Sequence, residues 1–558
     1  MIQNKNDFRS IKHLLQYVKP YWKKVIIGAV LILSISLLAL PSPYFLKIIF
    51  DSVLPHKNRR LLCIYMIVLM IVHILRSAIS LTSRYHWDVL NQNIIVKIKK
   101  ELFYRILRLP LSFFDEHQSG YILSRIGEVE GLGLFFSSSI LSLIINAFEF
   151  VFCLAVLFSL NTRLTLITIF ILPFFFVSAK IQAKGMRKLS RETYEKGAIT
   201  TKRIQDSLMG VDVIKYFGAE KAETDKINNH LVKMQKISIK RNLMTSLSSE
   251  TMMFIGAIGG FVVLLISGLD IIKGSFTIGS YMAFSAYIGK LYGPTQIFAN
   301  IGISFQPAKV ALERVNELMG LAGEDDGKNL RAIDRIARQI EFRNVSFAYE
   351  NKTVLNNLCF RINKGDKILI TGPNGSGKST IVKLLLGLYK AGKGSIFIDD
   401  IEIAEVSLSS LRQQFSIVSQ NTFLFNDSIR NNILYSKPEA SEEDIQQAMN
   451  LSGVNEFVYT LDNGLATEIG ERGAKLSGGE KQKISIARAI LRGSEFIILD
   501  EATTHLDKES EKNINALIQN NFFDKTCIII THRPFTFRGI NKVFSIKEGR
   551  IINEVGDR

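Results

Sequence analysis

Gly372-Pro373-Asn374-Gly375-Ser376-Gly377-Lys378-Ser379-Thr380 decides how this chain is read. Lys367-Ile-Leu-Ile-Thr371 ahead of it is a short apolar run that predicts a buried strand, and Thr380-Ile-Val-Lys-Leu-Leu-Leu386 behind it has helical periodicity. A strand, a loop of pattern GxxxxGK[ST] and a helix make a phosphate-binding loop. Its glycines let backbone N–H groups approach phosphate oxygens, and the helix N-terminus adds favourable partial charge. Lys378 is expected to reach the β- and γ-phosphates, Ser379 to ligate Mg2+ and Thr380 to support the phosphate contacts. ATP and Mg2+ are the expected cofactors.

Two more strands end in chemistry-bearing residues. Phe496-Ile-Ile-Leu-Asp500-Glu501 places two carboxylates at a strand end. That arrangement suits Asp500 holding Mg2+ through water and Glu501 polarising an attacking water as general base. Cys527-Ile-Ile-Ile-Thr-His532 ends in a histidine placed to sense the γ-phosphate. A second glycine pair, Leu476-Ser477-Gly478-Gly479-Glu480, falls shortly before Asp500, and the helix after it is expected over Ile484–Leu491.

Outward from this half the composition changes. The chain has 558 residues, too many for one ordinary core. It is 47% hydrophobic with mean hydropathy +0.18 and a net charge of +18. Its four cysteines are scattered, with no metal-ligand or disulfide spacing. The polar stretch Met1–Lys19 does not read as a signal peptide. Six segments, near 23–50, 61–83, 132–159, 163–183, 250–272 and 278–303, are apolar enough to cross a bilayer. Short connections follow the first, third and fifth. Long, basic and helical connections follow the second and fourth. Counting Lys and Arg puts the N-terminus, the long loops and the nucleotide part in the cytoplasm. The positive charge thus has a topological reading, and no nucleic-acid partner is expected.

The expected domains are a transmembrane domain over 1–320, a polar linker over 321–338 and a nucleotide-binding domain over 339–558. The fold class is an all-α transmembrane domain of six long helices plus an α/β P-loop ATPase domain. Ionisable and amide groups inside spans often mark function. Glu149, Asn146 and Asn300 are therefore candidates for a substrate path, while His73, Arg76 and Lys290 also lie in spans.

Together these motifs resemble the ATP-binding cassette superfamily, in its exporter form with a fused transmembrane domain, over essentially the whole chain. Leu476–Lys483 is similar to the family signature, Gln420 to the Q-loop glutamine, which also reaches Mg2+, and Tyr349 to the aromatic that stacks on adenine. Thr504-His505-Leu-Asp507 stands at the D-loop, which communicates across the dimer, and His532 at the H-loop. Phe113-Phe-Asp115 through Arg125 is similar to the first coupling region, which docks on the nucleotide domain. The resemblance implies that Ser477, Gly478, Gly479 and Glu480 of one chain contact nucleotide held by a second chain. It also implies a half-transporter in a bacterial plasma membrane, working as a homodimer or heterodimer. Its cargo would be an amphipathic peptide, lipid or hydrophobic drug. Two positions depart from the pattern: Glu480 stands where Gln is common and His505 where Ala is common. The competing classes are a nucleotide-gated channel or regulatory membrane ATPase, a nutrient importer and a soluble cassette protein.

Overall fold

The computed structural model describes residues 16–117, 119–325, 330–350, 352–420, 422–502, 508–531 and 539–556. It divides into two compact units, one of Met1–Leu107 with His117–Leu321, the other of Arg108–Glu116 with Ala322–Arg558.

The first unit is helical. Helices α1 (Trp22–Ala39) and α2 (Ser42–Ile48) meet at a kink. Helix α3 (Arg59–Leu107) then runs unbroken to the short α4 (Leu111–Glu116), which belongs to the second unit. Helices α5 (Ser138–Leu160), α6 (Thr162–Met209), α7 (Glu220–Ile272) and α8 (Ile278–Ser304) are the other long helices, and the shorter helix Gln306–Gly320 follows them. At 1.5 Å per residue, α3, α6 and α7 are rods of roughly 70–80 Å, more than twice a hydrocarbon core. Among the described residues, four helical stretches are long and apolar enough to span a membrane: Gln16–Val53, Arg59–Leu107, Thr162–Met209 and Glu220–Ile272. Along α3 the character changes with length. Ile64, Met66, Ile67, Met70, Ile71 and Ile74 are exposed and apolar, as a lipid-facing surface requires, whereas Trp87, Leu90, Ile94, Ile98 and Leu102 are buried.

The kink between α1 and α2 has a chemical cause. In a regular helix the Ala39 carbonyl would accept the N–H of residue 43, but Pro43 has none. The Leu40 carbonyl loses its partner as well, because the Tyr44 N–H turns to the Pro41 carbonyl at 3.0 Å. Helix α8 repairs both. The Lys290 ammonium donates to the Ala39 carbonyl at 2.6 Å, and the Tyr287 hydroxyl, one turn away, donates to the Leu40 carbonyl at 2.8 Å. Glu149 of α5 pairs with Lys290 at 3.5 Å. Beyond the kink, Asp51 accepts from the Thr277 hydroxyl at 2.7 Å and the Gly279 N–H at 2.8 Å, and so caps the first turn of α8 from outside that helix.

The second unit holds two sheets. Strands β1 (Gln339–Tyr349), β2 (Lys352–Asn363), β4 (Lys393–Ile398) and β5 (Ile401–Glu402) form an antiparallel sheet in the order β2-β1-β4-β5. Strands β3 (Lys367–Thr371), β6 (Phe415–Ser419), β7 (Phe496–Asp500), β8 (Thr526–Ile530), β9 (Lys542–Lys547) and β10 (Arg550–Gly556) form the other, in the order β10-β9-β3-β8-β7-β6. In the second sheet β9, β3, β8, β7 and β6 are mutually parallel. Helix α9 (Lys378–Leu385) follows β3, and α10 (Gly478–Arg492) precedes β7. Phe342, Phe360, Ile370, Ile381, Phe496 and Phe544 share one core contributed by both sheets and α9. A separate cluster around Ile429, Ile445, Met449 and Val458 buries Leu476 and the inner face of α10. The polar stretch after residue 321 packs on this unit: Glu324 accepts from both terminal guanidinium nitrogens of Arg412, at 2.8 and 3.0 Å.

The repair of the kink gives a stability expectation. Lys290→Met uncovers the Ala39 carbonyl and strands the Glu149 charge, a loss of roughly 1–3 kcal/mol for a partly buried pair. The midpoint of thermal unfolding in lipid nanodiscs should fall. Adding Glu149→Leu should recover part of the loss, and an unchanged midpoint for the single variant would show that the contacts contribute nothing.

Candidate functional site

Parallel pairing assembles the site. The register aligns Ile370 of β3 with Ile530 of β8, Ile530 with Asp500 of β7, and Asp500 with Ser419 of β6. All four strands therefore end at one level. The Gly372–Thr380 loop, Asp500-Glu501 and Gln420 leave the sheet along the same edge, where ligands bind in open parallel α/β sheets.

In the loop, Gly377 has φ +105°, and a Cβ there would lie 2.5 Å from the Leu355 side chain. At Gly372 a Cβ would lie 2.2 Å from the Ile546 carbonyl oxygen, so this backbone approaches β9 too closely for any side chain. Helix α9 starts at Lys378, two residues before the apolar periodicity begins, because Gly377 takes the left-handed conformation that turns the chain into it. Lys378, Ser376 and Thr380 are buried. The Lys378 ammonium donates to the Gly372 and Pro373 carbonyls at 2.9 and 3.0 Å and so lies folded over the loop. The Ser376 hydroxyl is buried and meets no partner among the described residues. A buried donor, an ammonium and glycine-only backbone make a cradle suited to an anion.

Ser379 lies beside the Asp500 side chain. Burial raises the Asp500 carboxyl above the usual carboxylate range and neighbouring Glu501 adds to this, while Ser379 and Lys378 act in the opposite sense. Glu501 sits at φ +48°, a left-handed conformation costly for a residue with a Cβ, and its N–H donates to the Ile530 carbonyl at 2.9 Å. Strain of this kind, held by the edge of β8, is typical of working sites. Gln420 is half-buried at the end of β6. Gln482 of α10 accepts from the Thr422 hydroxyl at 2.9 Å and braces this loop.

The second glycine pair is built differently. Helix α10 begins at Gly478 rather than at Ile484, because Ser477 caps it. The Ser477 hydroxyl accepts from the Glu480 N–H at 3.3 Å, while the Glu480 carboxylate accepts from the Ser477 N–H at 2.7 Å. This capping box gives the unusual Glu480 a concrete role. Leu476 is buried beneath it, and Ser477 and Gly478 are exposed.

Tyr349, at the end of β1, packs edge-to-face with Phe347 and Tyr389, at centroid distances of 4.8 and 5.3 Å. Tyr389 carried no signal in the sequence, being one more aromatic after an apolar helix. His505, Asp507 and His532 lie outside the described residues, as does the side chain of Asn300. Asn146 is half-buried on α5, one turn from Glu149, whose partner is Lys290.

Residues 25–295 match the family model described as the ABC transporter transmembrane region, and residues 355–504 match the one described as ABC transporter. The ATP-dependent lipid A-core flippase of Syntrophus aciditrophicus (strain SB) is 30% identical over 546 residues, covering 97% of this chain and 91% of the relative. The flippase of the same description from Haemophilus influenzae (strain 86-028NP) is 31% identical over 554 residues, covering 98% and 94%. The solved structure of a bacterial Atm1-family ABC exporter with ATP bound superposes with a TM-score of 0.86 at 24% identity, over 96% of this chain and 95% of that one, and so shares the fold. The chain belongs to the ABC transporter family: it is an integral membrane ATPase of the exporter type, with its transmembrane region and its ATP-hydrolysing unit fused in one polypeptide.

Proposed function

We propose that two copies of this chain form a homodimeric exporter with two composite ATP sites, which moves an amphipathic cargo across the membrane or between its leaflets. The observation that carries this reading is the common edge of β3, β7 and β6. It gathers Lys378, Ser379, Asp500, Glu501 and Gln420 in one chain, while Ser477 and Gly478 stand exposed at the start of α10. A complete catalytic half beside an exposed signature fits a site finished by a second copy. Each chain crosses the membrane six times, with its N-terminus and nucleotide unit in the cytoplasm of a bacterial cell. Lipid is the favoured cargo because the flippase relatives are described as acting on lipid A-core. A processed peptide or hydrophobic drug would meet the same amphipathic requirement.

In this reading the N–H groups of Gly375, Gly377 and Lys378 cradle the phosphates beside Asn374, Ser376 and Thr380. The Lys378 ammonium leaves its loop carbonyls for the β- and γ-phosphates, and Tyr349 stacks on the base. Ser379, Gln420 and Asp500 supply a hydroxyl, an amide oxygen and a carboxylate, the hard oxygen donors that suit Mg2+. The ion, when bound, neutralises charge on the β- and γ-phosphate oxygens. Glu501 takes the proton of the attacking water, and His532 contacts the γ-phosphate. His505 and Asp507 carry the state of one site to the other. Ser477 and Gly479 of the second copy close over the nucleotide, so bound ATP holds the nucleotide units together and hydrolysis releases them. That cycle alternates access to the cargo.

Glu501→Gln should slow phosphate release by roughly 100-fold or more, the scale of a lost general base, while ATP stays bound. Near-normal turnover in this variant would remove Glu501 from the role of base. Mixed dimers test the composite site. Purified Lys378→Ala and Ser477→Arg homodimers should each be inactive. A dimer with one chain of each should regain hydrolysis, because it pairs one intact phosphate loop with one intact signature. Failure to regain it would place both motifs at the same nucleotide in one chain.

A further inference from the structure

Tyr389 lies beyond the end of α9 and carries no assigned role, yet it stands at the centre of a small network. Its ring packs edge-to-face on Tyr349, with centroids 5.3 Å apart and planes at 83°, and on Phe347 at 5.4 Å. The Lys383 ammonium, on α9, lies 5.4 Å from the Tyr349 ring centroid and 5.5 Å from that of Tyr389. The Tyr389 hydroxyl donates to Asp115 of α4, the short helix that belongs to the nucleotide unit. Burial first, then this bond, raises the Tyr389 hydroxyl above the ordinary tyrosine range, so it remains a neutral donor. A side chain that served packing alone would need neither a carboxylate at its far end nor a shared cation.

Edge-to-face pairs favour one mutual orientation, because the positive ring edge meets the negative face of its neighbour. The Tyr349 ring is therefore held by Phe347, Tyr389 and Lys383, and Tyr389 is itself fixed at its outer end by Asp115. We propose that Tyr389 is a positioning residue for the nucleotide base: it sets the plane in which Tyr349 presents its ring, and Asp115 anchors it there. This rests on the reading of Tyr349 as the base-stacking residue. It adds that the affinity of that ring for a base is pre-organised by a residue that does not touch the base.

The test is steady-state ATP hydrolysis by the full-length protein in lipid nanodiscs, with inorganic tripolyphosphate as a competitor that has no base. Tyr389→Ala should raise the KM for ATP roughly 3- to 10-fold, the worth of one or two aromatic pairs, with kcat within about two-fold of the parent. Inhibition by tripolyphosphate should not change. Tyr389→Leu, which fills the space without a polarised ring edge, should behave like the alanine variant, and Tyr389→Phe, which keeps the ring edge but loses the bond to Asp115, should fall between alanine and the parent. Combining Tyr389→Ala with Tyr349→Ala should cost no more than Tyr349→Ala alone. Suppose Tyr349→Ala raises KM while both Tyr389→Ala and Tyr389→Leu leave it unchanged, or weaken tripolyphosphate equally. The positioning role is then overturned and the Tyr349 reading stands. If Tyr349→Ala itself leaves KM unchanged, the base-stacking reading fails and takes this proposal with it.

Discussion

The in-register parallel pairing of β3, β8, β7 and β6 is the constraint on which the nucleotide unit depends. Residues 378, 420 and 500 are distant in sequence, and no local rule relates them. The ladder does, because each strand stops at the level of its neighbour and hands its next residues to one edge. The cost of that convergence is visible at Glu501, in a left-handed conformation, and in the Asp500 carboxyl, raised by burial and by Glu501 beside it. Buried apolar strands on both sides make the sheet stiff enough to hold such groups in place.

What the sequence made legible follows the range of the forces involved. The phosphate loop could be read because its conformation is local: glycine at positive φ, a strand before and a helix after. The long helices could be read because apolar periodicity and the lack of breakers act within a few turns. The start of α10 was misread by six residues. Periodicity finds the apolar face at Ile484, but the cap that starts the helix is a pair of polar contacts between Ser477 and Glu480. Glu480 looked like a departure from a pattern until its carboxylate was found on the Ser477 N–H.

Other features had no sequence signal because they depend on distant backbone. β1 alternates as a strand should over residues 340–349, but the register shifts in its pairing with β2 and β4 are set by those partner strands and not by its own pattern. For Glu149 the sequence offered either a substrate path or an interhelical pairing, and it placed Lys290 in an apolar span without naming a partner for either. Their geometry gives both a structural task, since a lysine closes a carbonyl opened by a proline in another helix and a glutamate balances it. Tyr389 was silent for the same reason, as its partners lie on β1, α9 and α4.

The kink also has a consequence in time. Tyr287 and Lys290 follow the carbonyls they close by 247 and 251 residues. At ribosomal rates that interval is roughly 12–50 s. During it the first span is already synthesised, with two backbone acceptors that lipid tails cannot satisfy. The nascent span has to keep those groups wet or borrowed, at an interface or beside a translocation channel, until α8 arrives. α8 is thus the helix that allows α1 to settle, and the order of synthesis runs opposite to the order in which this part of the bundle becomes stable.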